Sequence, residues 1–335
     1  MNFGAVITDA EGFRLTPEER SLFRQMNPFG FILFARNIDD ADQVRALCDD
    51  FREAVGRNCP ITIDQEGGRV QRLRAPLARE WLPPLEHTAK AGDQAERAMY
   101  LRYRLIADEL FSLGIDSNCA PMVDLARDDT HKFLKNRCYG SDPEEVSKIG
   151  RAVALGHLDG GVLPVIKHMP GHGLSTLDSH HDLPHVDLSL EELEQMDFAP
   201  FRSLNDLPMG MTAHLVYDQI DAQPATISPV MFDLIRNRIG FDGLIMTDDI
   251  SMKALSGTPA EIAQKALAAG CDVVLHCNGS FDARAQVMET AGQMSDAAQS
   301  RADRALAMRK PPQELDIPAA EAELSRLMSG QVYER

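Results

Sequence analysis

Short apolar runs alternate with amphipathic, helix-like stretches along almost the whole chain. Strands that are buried on both faces give continuous apolar runs, and strands that alternate with helices pair in parallel. The apolar runs are Gly4–Thr8, Gly30–Phe34, Ile61–Asp64, Asp116–Ala120, Val162–Lys167, Gly210–Ala213, Gly243–Thr247 and Val273–His276. Eight strand–helix units within 335 residues predict an α/β protein with a (β/α)8 TIM-type barrel rather than an open sheet.

Helix signals fill the intervals between these runs. Thr16 can cap a helix that starts at Pro17, because Glu19 follows at the position that completes a capping box. The predicted helices are Pro17–Met26, Asp40–Val55, Ala95–Leu113, Pro143–Leu158, Leu190–Leu204, Pro229–Arg238, Pro259–Ala269 and Asp282–Met294. No linker interrupts the series, so we predict a single domain over residues 1–335 with a C-terminal helical extension over about residues 312–335.

Charge and composition limit the class of partner. Hydrophobic residues make up 44% of the chain and charged residues 25%, which is typical of a soluble globular enzyme. The formal net charge of −17 argues against nucleic acid or an anionic membrane as partner, since both require a basic face. No apolar run approaches the roughly 20 residues of a membrane helix, and the first residues do not resemble a signal peptide. We therefore expect a cytoplasmic monomer whose six cysteines are reduced.

Polar side chains follow the ends of most predicted strands. The active site of a (β/α)8 barrel is built at the carboxyl ends of its strands. The polar residues at or just beyond these ends are Asp64, Asn118, Asp124, Lys167, His168, His214, Asp248, Asp249 and Asn278. One such residue is commonly a helix cap or a surface group, but the repetition at six of eight strands predicts an active site there.

Histidines cluster where the fifth predicted strand ends. Residues 168–185 contain five of them, at positions 168, 172, 180, 181 and 185. His168 and His172 have the spacing of a helical zinc site, but Pro170 and the flanking glycines rule out a helix there. We therefore favour acid–base chemistry at this segment and expect no metal.

The candidate residues suit the cleavage of a sugar bond. Asp248 ends a buried strand, where a rigidly held carboxylate can serve as nucleophile or general base, whereas Asp249 should point away and be structural. The side chains that could donate hydrogen bonds to hydroxyl, amide or carboxylate groups are Arg72, Arg137, Lys167 and His168. No GxGxxG or GxxxxGK fingerprint is present, so no nucleotide cofactor is predicted. A carboxylate that stabilises an oxocarbenium-like centre, with a proton donor opposite, fits this set best.

These segments resemble glycoside hydrolase family 3, in particular its bacterial β-N-acetylhexosaminidases of peptidoglycan recycling. The resemblance covers nearly the whole chain, and the KHMPGHG, DSH and TDDISM motifs make it specific. The matching segments are FGFILFARNI (Phe29–Ile38), DQEGGRVQRL (Asp64–Leu73), KHMPGHG (Lys167–Gly173), DSHHDLP (Asp178–Pro184), MTAHLVYDQID (Met211–Asp221), GFDGLIMTDDISM (Gly240–Met252) and AGCDVVLHCN (Ala269–Asn278).

The resemblance implies roles for individual residues. Asp248 would be the nucleophile that forms a covalent glycosyl-enzyme, and His180, oriented by Asp178, would be the acid/base. The ligands of the N-acetylglucosamine ring would be Asp64, Arg72, Arg137, Lys167 and His168. The implied reaction releases N-acetylglucosamine, with retained configuration, from 1,6-anhydro-N-acetylmuramyl peptides. No metal or cofactor is implied.

Two departures from the family pattern stand out. Met169 replaces the aromatic residue that is usual in the KHMPGHG motif. The residue before Arg137 is Asn136, where the family usually has a carboxylate, so we expect the support of Arg137 to be weaker than usual.

Alternatives remain open at this point. A metal-dependent hydrolase could use the histidine cluster. A sugar-binding protein without catalysis is less consistent with the intact set of Asp178, His180 and Asp248. Within the enzyme class, a β-N-acetylglucosaminide phosphorylase or a broader β-glycosidase of the same family is a closer rival. A neutral histidine acid/base would repel a phosphate nucleophile less than a carboxylate would.

Overall fold

The computed structural model describes residues 2–175 and 183–333. Within these residues, eight parallel strands close into a barrel in which each strand pairs with its neighbours along the chain and the last pairs with the first. The barrel strands are β1 (Gly4–Thr8), β2 (Pro28–Leu33), β3 (Ile61–Ile63), β4 (Ser117–Asn118), β5 (Leu163–Met169), β6 (Met209–Thr212), β7 (Leu244–Asp249) and β8 (Val273–His276). The predicted (β/α)8 barrel is confirmed.

Every predicted apolar run overlaps a barrel strand, and only the bounds differ. Side chains of β1, β2 and β5 are buried at every position, which is why these strands are apolar without alternation. β5 continues two residues beyond the predicted Lys167, to Met169. In the described part of the chain, four short strands outside the barrel form two small sheets: Gln65–Gly67 pairs with Val70–Gln71, and His185–Val186 pairs with Val216–Tyr217.

Helices surround the barrel. The α-helices are Pro17–Met26, Ala41–Val55, Pro84–Ala91, Ala95–Ser112, Lys132–Lys135, Pro143–Asp159, Leu190–Gln195, Ala199–Ser203, Pro229–Asp233, Pro259–Ala269, Phe281–Ala291, Asp296–Ala307 and Ile317–Leu327. The segments Ala35–Asn37, Gly92–Gln94 and Ala225–Ile227 are 3-10 helices, and Leu234–Ile239 is a π-helix. The Thr16 capping box is present, with the Thr16 hydroxyl accepting from the amide of Glu19.

The prediction of one helix over Leu190–Leu204 is wrong. The segment forms two short helices, because Met196 leaves the helical region with φ −117° and ψ −85°. Pro200 follows four residues later and has no amide hydrogen to donate to the Met196 carbonyl, so a continuous helix would lack that bond. The predicted helix Pro229–Arg238 is also divided, into an α-helical turn that ends at Asp233 and a π-helix.

The C-terminal helix Ile317–Leu327 packs against Ala95–Ser112 on the outside of the barrel. Arg97 donates to both carboxylate oxygens of Glu323, and Arg79 bridges to Glu321 of the same helix. These pairs are partly exposed, so each contributes at most about 1 kcal/mol. No helix in the described part of the chain is both long and apolar enough to traverse a lipid bilayer.

The six cysteines are buried free thiols. Burial raises the pKa of Cys48 to about 12 and that of Cys59 to about 11. Thiols that stay protonated in an apolar surrounding are poor nucleophiles and poor metal ligands. The cysteines therefore belong to the packing of the protein and offer no chemistry of their own.

Two buried histidines are held neutral by the fold. Burial lowers the pKa of His157 to about 3 and that of His172 to about 4, from an ordinary value of 6.5. Nε2 of His157 lies 2.9 Å from the side-chain nitrogen of Asn118, which donates to it. Burial also lowers the pKa of His87, His214 and His276.

The free energy of unfolding is expected to fall as pH decreases below about 6.5. As the pH falls, the histidines of the unfolded chain bind protons, whereas the buried imidazoles of the native protein stay neutral. The stability that these histidines contribute is therefore complete above their pKa in the unfolded chain. It is lost as the pH falls towards their lower pKa in the folded protein. Each such histidine adds a slope of about 1.4 kcal/mol per pH unit. Urea unfolding between about pH 6 and pH 5 measures the slope before most carboxylates titrate.

His157→Gln is the matched variant for this prediction, because glutamine retains an acceptor for Asn118 but does not titrate. The variant should be less stable at neutral pH. Its free energy of unfolding should fall less steeply than that of the wild type as pH decreases, and the difference in slope should be the contribution of one histidine. An identical slope in the two proteins would contradict a neutral His157 in the native state.

Candidate active site

A cavity of about 390 Å³ opens where the carboxyl ends of β3, β5 and β7 meet. Every predicted site residue in the described part of the chain lines it. These residues are Asp64, Arg72, Arg137, Lys167, His168 and Asp248. The predicted acid/base His180 and its partner Asp178 lie outside the described residues. Predicted site residues that are distant along the chain therefore meet at one cavity.

Lys167 is the central cation of this cavity. Its Nζ lies 2.9 Å from Oδ1 of Asp64 and 2.6 Å from Oε1 of Glu66, and its side chain is only 1% exposed. Burial alone would lower the pKa of Lys167, but the two carboxylates outweigh it and hold the pKa above its usual value. Burial would likewise raise the pKa of Asp64, and the charges of Lys167 and Arg72 bring it far below its usual value. These groups are therefore ionised across the physiological range.

Arg137 has a carboxylate partner, which corrects the expectation of weak support. Its Nε and Nη2 donate to the two oxygens of Glu66 at 2.9 and 2.8 Å, in a bidentate ion pair. The missing carboxylate beside Arg137 in the sequence is thus supplied from 71 positions away. Arg72 is paired too, with Nη2 3.0 Å from Oδ2 of Asp64.

Glu66 is a site residue that the sequence interpretation missed. It is 1% exposed and neutralises both Lys167 and Arg137. Charge balance could have found it, because the buried Lys167 and Arg137 and the partly exposed Arg72 would carry an uncompensated positive charge around Asp64 alone. Asp64 and Glu66 are also two residues apart at the start of the strand Gln65–Gly67, where alternate side chains share a side.

Glu66→Gln is expected to destabilise the protein by about 3–5 kcal/mol, because it leaves two buried cations without their common carboxylate. Sugar binding should weaken as well, since Arg137 loses the pair that fixes its direction. Urea unfolding measures the first effect. The matched control is Glu80→Gln, which breaks the partly exposed pair with Arg74 and should cost less than about 1 kcal/mol. Equal losses for the two variants would contradict a central role of Glu66.

Asp248 is the carboxylate best placed for reaction. It lies at the end of β7, is half-buried, and accepts a hydrogen bond from the amide of Asp249 at 2.8 Å. Burial raises its pKa, but the interactions with His168 and His214, the hydrogen bond from the Asp249 amide and the charge of Lys167 together outweigh burial, so the pKa lies below the usual value for aspartate. An ionised carboxylate at the wall of a cavity can act as a nucleophile.

Asp249 is committed to holding the end of its strand. Its carboxylate accepts from the amide and hydroxyl of Ser251, at 3.0 and 2.7 Å, and from the side-chain amide of Asn278 at 3.1 Å. The Asp249 carbonyl lies 3.1 Å from Nε2 of His214. Asn278 and Asp249 line the cavity, whereas His214 is buried behind it. These contacts agree with the structural role expected for Asp249, but the expectation that it points away from the site is wrong, since it lines the cavity.

His168 is held from behind by Asp124. Nδ1 of His168 lies 2.8 Å from Oδ2 of Asp124, and Nε2 lies 3.5 Å from Nη2 of Arg137. Burial raises the pKa of Asp124, but interactions with His168 bring it below its usual value. His168 therefore presents one nitrogen to a buried carboxylate and the other to the cation side of the cavity.

Glycines allow the segment after His168 to pack tightly. A Cβ at Gly173 would lie 2.2 Å from the carbonyl oxygen of Leu125, and one at Gly171, where φ is +146°, would lie 2.9 Å from Cβ of Asp197. Such contacts exclude larger residues. The amide of His172 donates to Oδ1 of Asp124 at 2.7 Å. The turn is thereby fixed to the loop that follows β4.

Apart from Arg69, the rest of the cavity wall is apolar. Its apolar members are Ile32, Phe34, Val70, Phe133, Met211, Met252, Leu275 and Cys277. A polar, ionised end beside an apolar wall suits a sugar ring, which carries hydroxyl groups and apolar C–H surfaces. Among the residues that the structure describes, no three His, Cys, Asp or Glu side chains are arranged to hold a metal ion.

Comparisons with known proteins agree with this geometry. The family model described as "Glycosyl hydrolase family 3 N terminal domain" matches residues 6–307. A beta-hexosaminidase of Chromobacterium violaceum is 40% identical over 294 residues, which cover 85% of this chain and 81% of that protein.

Solved structures are similar over almost the whole chain. NagZ from Neisseria gonorrhoeae in complex with zinc ion has a TM-score of 0.85 and 32% identity, covering 98% of this chain and 99% of that one. The same protein in complex with N-trifluoroacetyl-D-glucosamine has a TM-score of 0.80 and 31% identity, with coverage of 98% and 99%. The family expected from the motifs is confirmed: this chain belongs to glycosyl hydrolase family 3 and is a glycoside hydrolase.

Proposed function

We propose that this protein is a retaining β-N-acetylglucosaminidase. It would remove terminal non-reducing N-acetylglucosamine from N-acetylglucosaminyl-1,6-anhydro-N-acetylmuramyl peptides, as a cytoplasmic enzyme of cell-wall recycling. The observation that carries the proposal is the ionised Asp248 at one wall of a cavity whose other side holds Lys167, Asp64 and Arg72. The complex of Neisseria gonorrhoeae NagZ with N-trifluoroacetyl-D-glucosamine supports the choice of sugar.

The proposed reaction has two steps. Asp248 attacks the anomeric carbon and forms a covalent glycosyl-enzyme, while His180 protonates the oxygen of the leaving sugar. Water, deprotonated by His180, then attacks the same carbon and releases Asp248, so configuration is inverted twice and retained. The chain's other groups bind and orient the ring. Asp64 can accept from ring hydroxyls, and Lys167 and Arg72 can donate to them.

The sugar preference and the retention of configuration are tested with aryl glycosides. Release of p-nitrophenol from the β-N-acetylglucosaminide should exceed release from the β-N-acetylgalactosaminide and the β-glucoside by at least about tenfold in kcat/KM, which is about 1.4 kcal/mol of discrimination. Proton NMR of the first-formed product should give the β-anomer. Equal hydrolysis of the β-glucoside would favour the broader β-glycosidase, and an α-anomer would overturn the retaining mechanism.

Two further measurements separate the rival enzymes. A phosphorylase would turn over faster in phosphate than in a non-phosphate buffer and would form N-acetylglucosamine 1-phosphate, whereas we expect free sugar in both. A metal-dependent hydrolase would lose activity with EDTA and regain it with zinc, whereas we expect EDTA to leave turnover unchanged. Either contrary result would replace the proposal with the corresponding rival.

A further inference from the structure

Asp124 is a buried carboxylate that accepts every one of its side-chain hydrogen bonds within the described residues from two histidines. We propose that Asp124 is a positioning residue for catalysis, which fixes His168 as the tautomer with its proton on Nδ1 and so presents an unprotonated Nε2 to the sugar. The inference rests on the proposed function only for the identity of the sugar. The placement of the proton is a property of the protein alone.

The contacts of Asp124 assign the proton on His168. Oδ2 of Asp124 is 2.8 Å from Nδ1 of His168, and a carboxylate can only accept. On the opposite side of the ring, Nε2 is 3.5 Å from Nη2 of Arg137, and a guanidinium can only donate. A proton on Nδ1 satisfies both neighbours, whereas a proton on Nε2 would leave Nδ1 facing a carboxylate and set two donors against each other.

The remaining bonds of Asp124 explain why an amide could not replace it. Oδ1 accepts from the amide of His172 at 2.7 Å, and the amide of His168 lies 3.3–3.4 Å from the two oxygens. Both oxygens of Asp124 therefore face N–H groups. An asparagine would direct its own NH2 at one of these donors, which would displace either the imidazole or the turn.

The placement matters because His168 and Arg137 both line the cavity, whereas Asp124 does not. Asp124 is 1% exposed and cannot touch a bound sugar. It acts only through His168, whose unprotonated Nε2 can accept a hydrogen bond from a ring hydroxyl. Both of its oxygens accept hydrogen bonds from N–H groups, and such bonds favour the ionised form of a buried carboxylate.

The direct test is the tautomer of His168 in the unmodified protein. Long-range proton–nitrogen NMR on protein labelled with 15N-histidine distinguishes protonated from unprotonated ring nitrogens, and His168→Gln identifies the His168 signals by their loss. The expected result is a protonated Nδ1 and an unprotonated Nε2 in the sugar-free enzyme at neutral pH. A proton on Nε2 alone, or on both nitrogens, would overturn the proposal, whatever the activity of the enzyme.

Asp124→Asn then links the tautomer to binding. The variant should raise the Kd for N-acetylglucosamine, measured by calorimetry, by about tenfold or more, which corresponds to about one hydrogen bond. Its His168 signals should move towards the Nε2-protonated form. The matched control is Asp197→Asn. Asp197 is as buried as Asp124, pairs with Arg127 and lies beside Gly171 in the turn that follows His168.

Asp197→Asn can lower stability but should leave both the His168 tautomer and the Kd as in the wild type. An Asp124→Asn protein that is folded, has wild-type His168 signals and binds the sugar normally would reduce Asp124 to a structural role. If Asp124→Asn does not fold, the tautomer measured in the wild type still decides. If the wild type binds no N-acetylglucosamine, the proposed function fails while the tautomer assignment stands or falls by NMR.

Discussion

Asp248→Ala is expected to lower kcat by about 10⁴-fold or more, because the variant has no group that can form the covalent glycosyl-enzyme. The fold should persist, since Asp248 is half-buried and its carboxylate accepts one hydrogen bond among the described residues, from the amide of Asp249. Steady-state kinetics with the p-nitrophenyl β-N-acetylglucosaminide measures the effect, and thermal unfolding verifies the fold. Retention of more than about a tenth of wild-type turnover would exclude Asp248 as nucleophile, since tenfold is only about 1.4 kcal/mol.

Asp249 provides the matched control for the nucleophile. It is the adjacent carboxylate and also lines the cavity, but its oxygens are occupied by Ser251 and Asn278. A 5-fluoro glycosyl inactivator should label Asp248 in the wild type and should label nothing in Asp248→Ala. Asp249→Asn should lower stability more than Asp248→Asn does and should still be labelled at Asp248. Labelling of Asp249 in the wild type would reverse the assignment.

The barrel was predictable from the sequence because its cause is local. A strand covered by helices on one side and by the barrel interior on the other must be apolar throughout, so each strand appears as a short apolar run. Strand ends were less predictable. β4 contains only Ser117–Asn118, although the apolar run continues to Ala120, because pairing with both neighbouring strands determines where a strand ends.

The sequence analysis missed two helices that the structure contains. Pro84–Ala91 begins at the second of two consecutive prolines, which indicate a loop, yet Pro84 occupies the first turn of the helix, where its missing amide hydrogen costs nothing. Asp296–Ala307 was not predicted either, although Ser295 caps it. In both cases the helix is stabilised by burial against the rest of the protein, which single-sequence patterns do not report.

The candidate site, too, could be predicted only in part from the sequence. Asp64, Lys167 and Asp248 could be identified because each follows a recognisable strand, and strand ends of a barrel converge. The partnerships could not: Lys167 meets Asp64 across 103 positions and Arg137 meets Glu66 across 71. Because pairing at such distances depends on the closed barrel, only the structure shows that Glu66 pairs with both Lys167 and Arg137 and that Asp124 holds His168.

Removal of the proton donor should also have a large effect on catalysis, and we expect this donor to be His180. Retaining glycosidases normally use a second carboxylic acid for this step. The DSHHDLP motif instead offers Asp178 and His180 two positions apart, a spacing that puts both side chains on one side of an extended segment. Asp178 could then bind one imidazole nitrogen and leave the other for the glycosidic oxygen. Both residues lie outside the described part of the chain, so the assignment rests on the motif.

His180→Ala should discriminate between leaving groups. With a sugar as leaving group, protonation of its oxygen is essential, and kcat/KM should fall by about 10²- to 10⁴-fold. With an activated nitrophenolate, little protonation is needed, so the rate of glycosylation should fall much less. Deglycosylation should then become the rate-limiting step. Asp178→Asn should act in the same direction by altering the tautomer of His180. Because an unperturbed histidine has a pKa of about 6.5, the variant should also change the acidic limb of the pH profile.

His181→Ala is the matched control, because it removes a neighbouring imidazole of the same motif without removing the proposed donor. It should leave the ratio of kcat/KM for the two substrate types close to that of the wild type. If His180→Ala slowed both substrates equally and left the acidic limb unchanged, His180 would not be the proton donor. In that case the motif would be explained by substrate binding alone, with His180 bound to a hydroxyl group of the substrate.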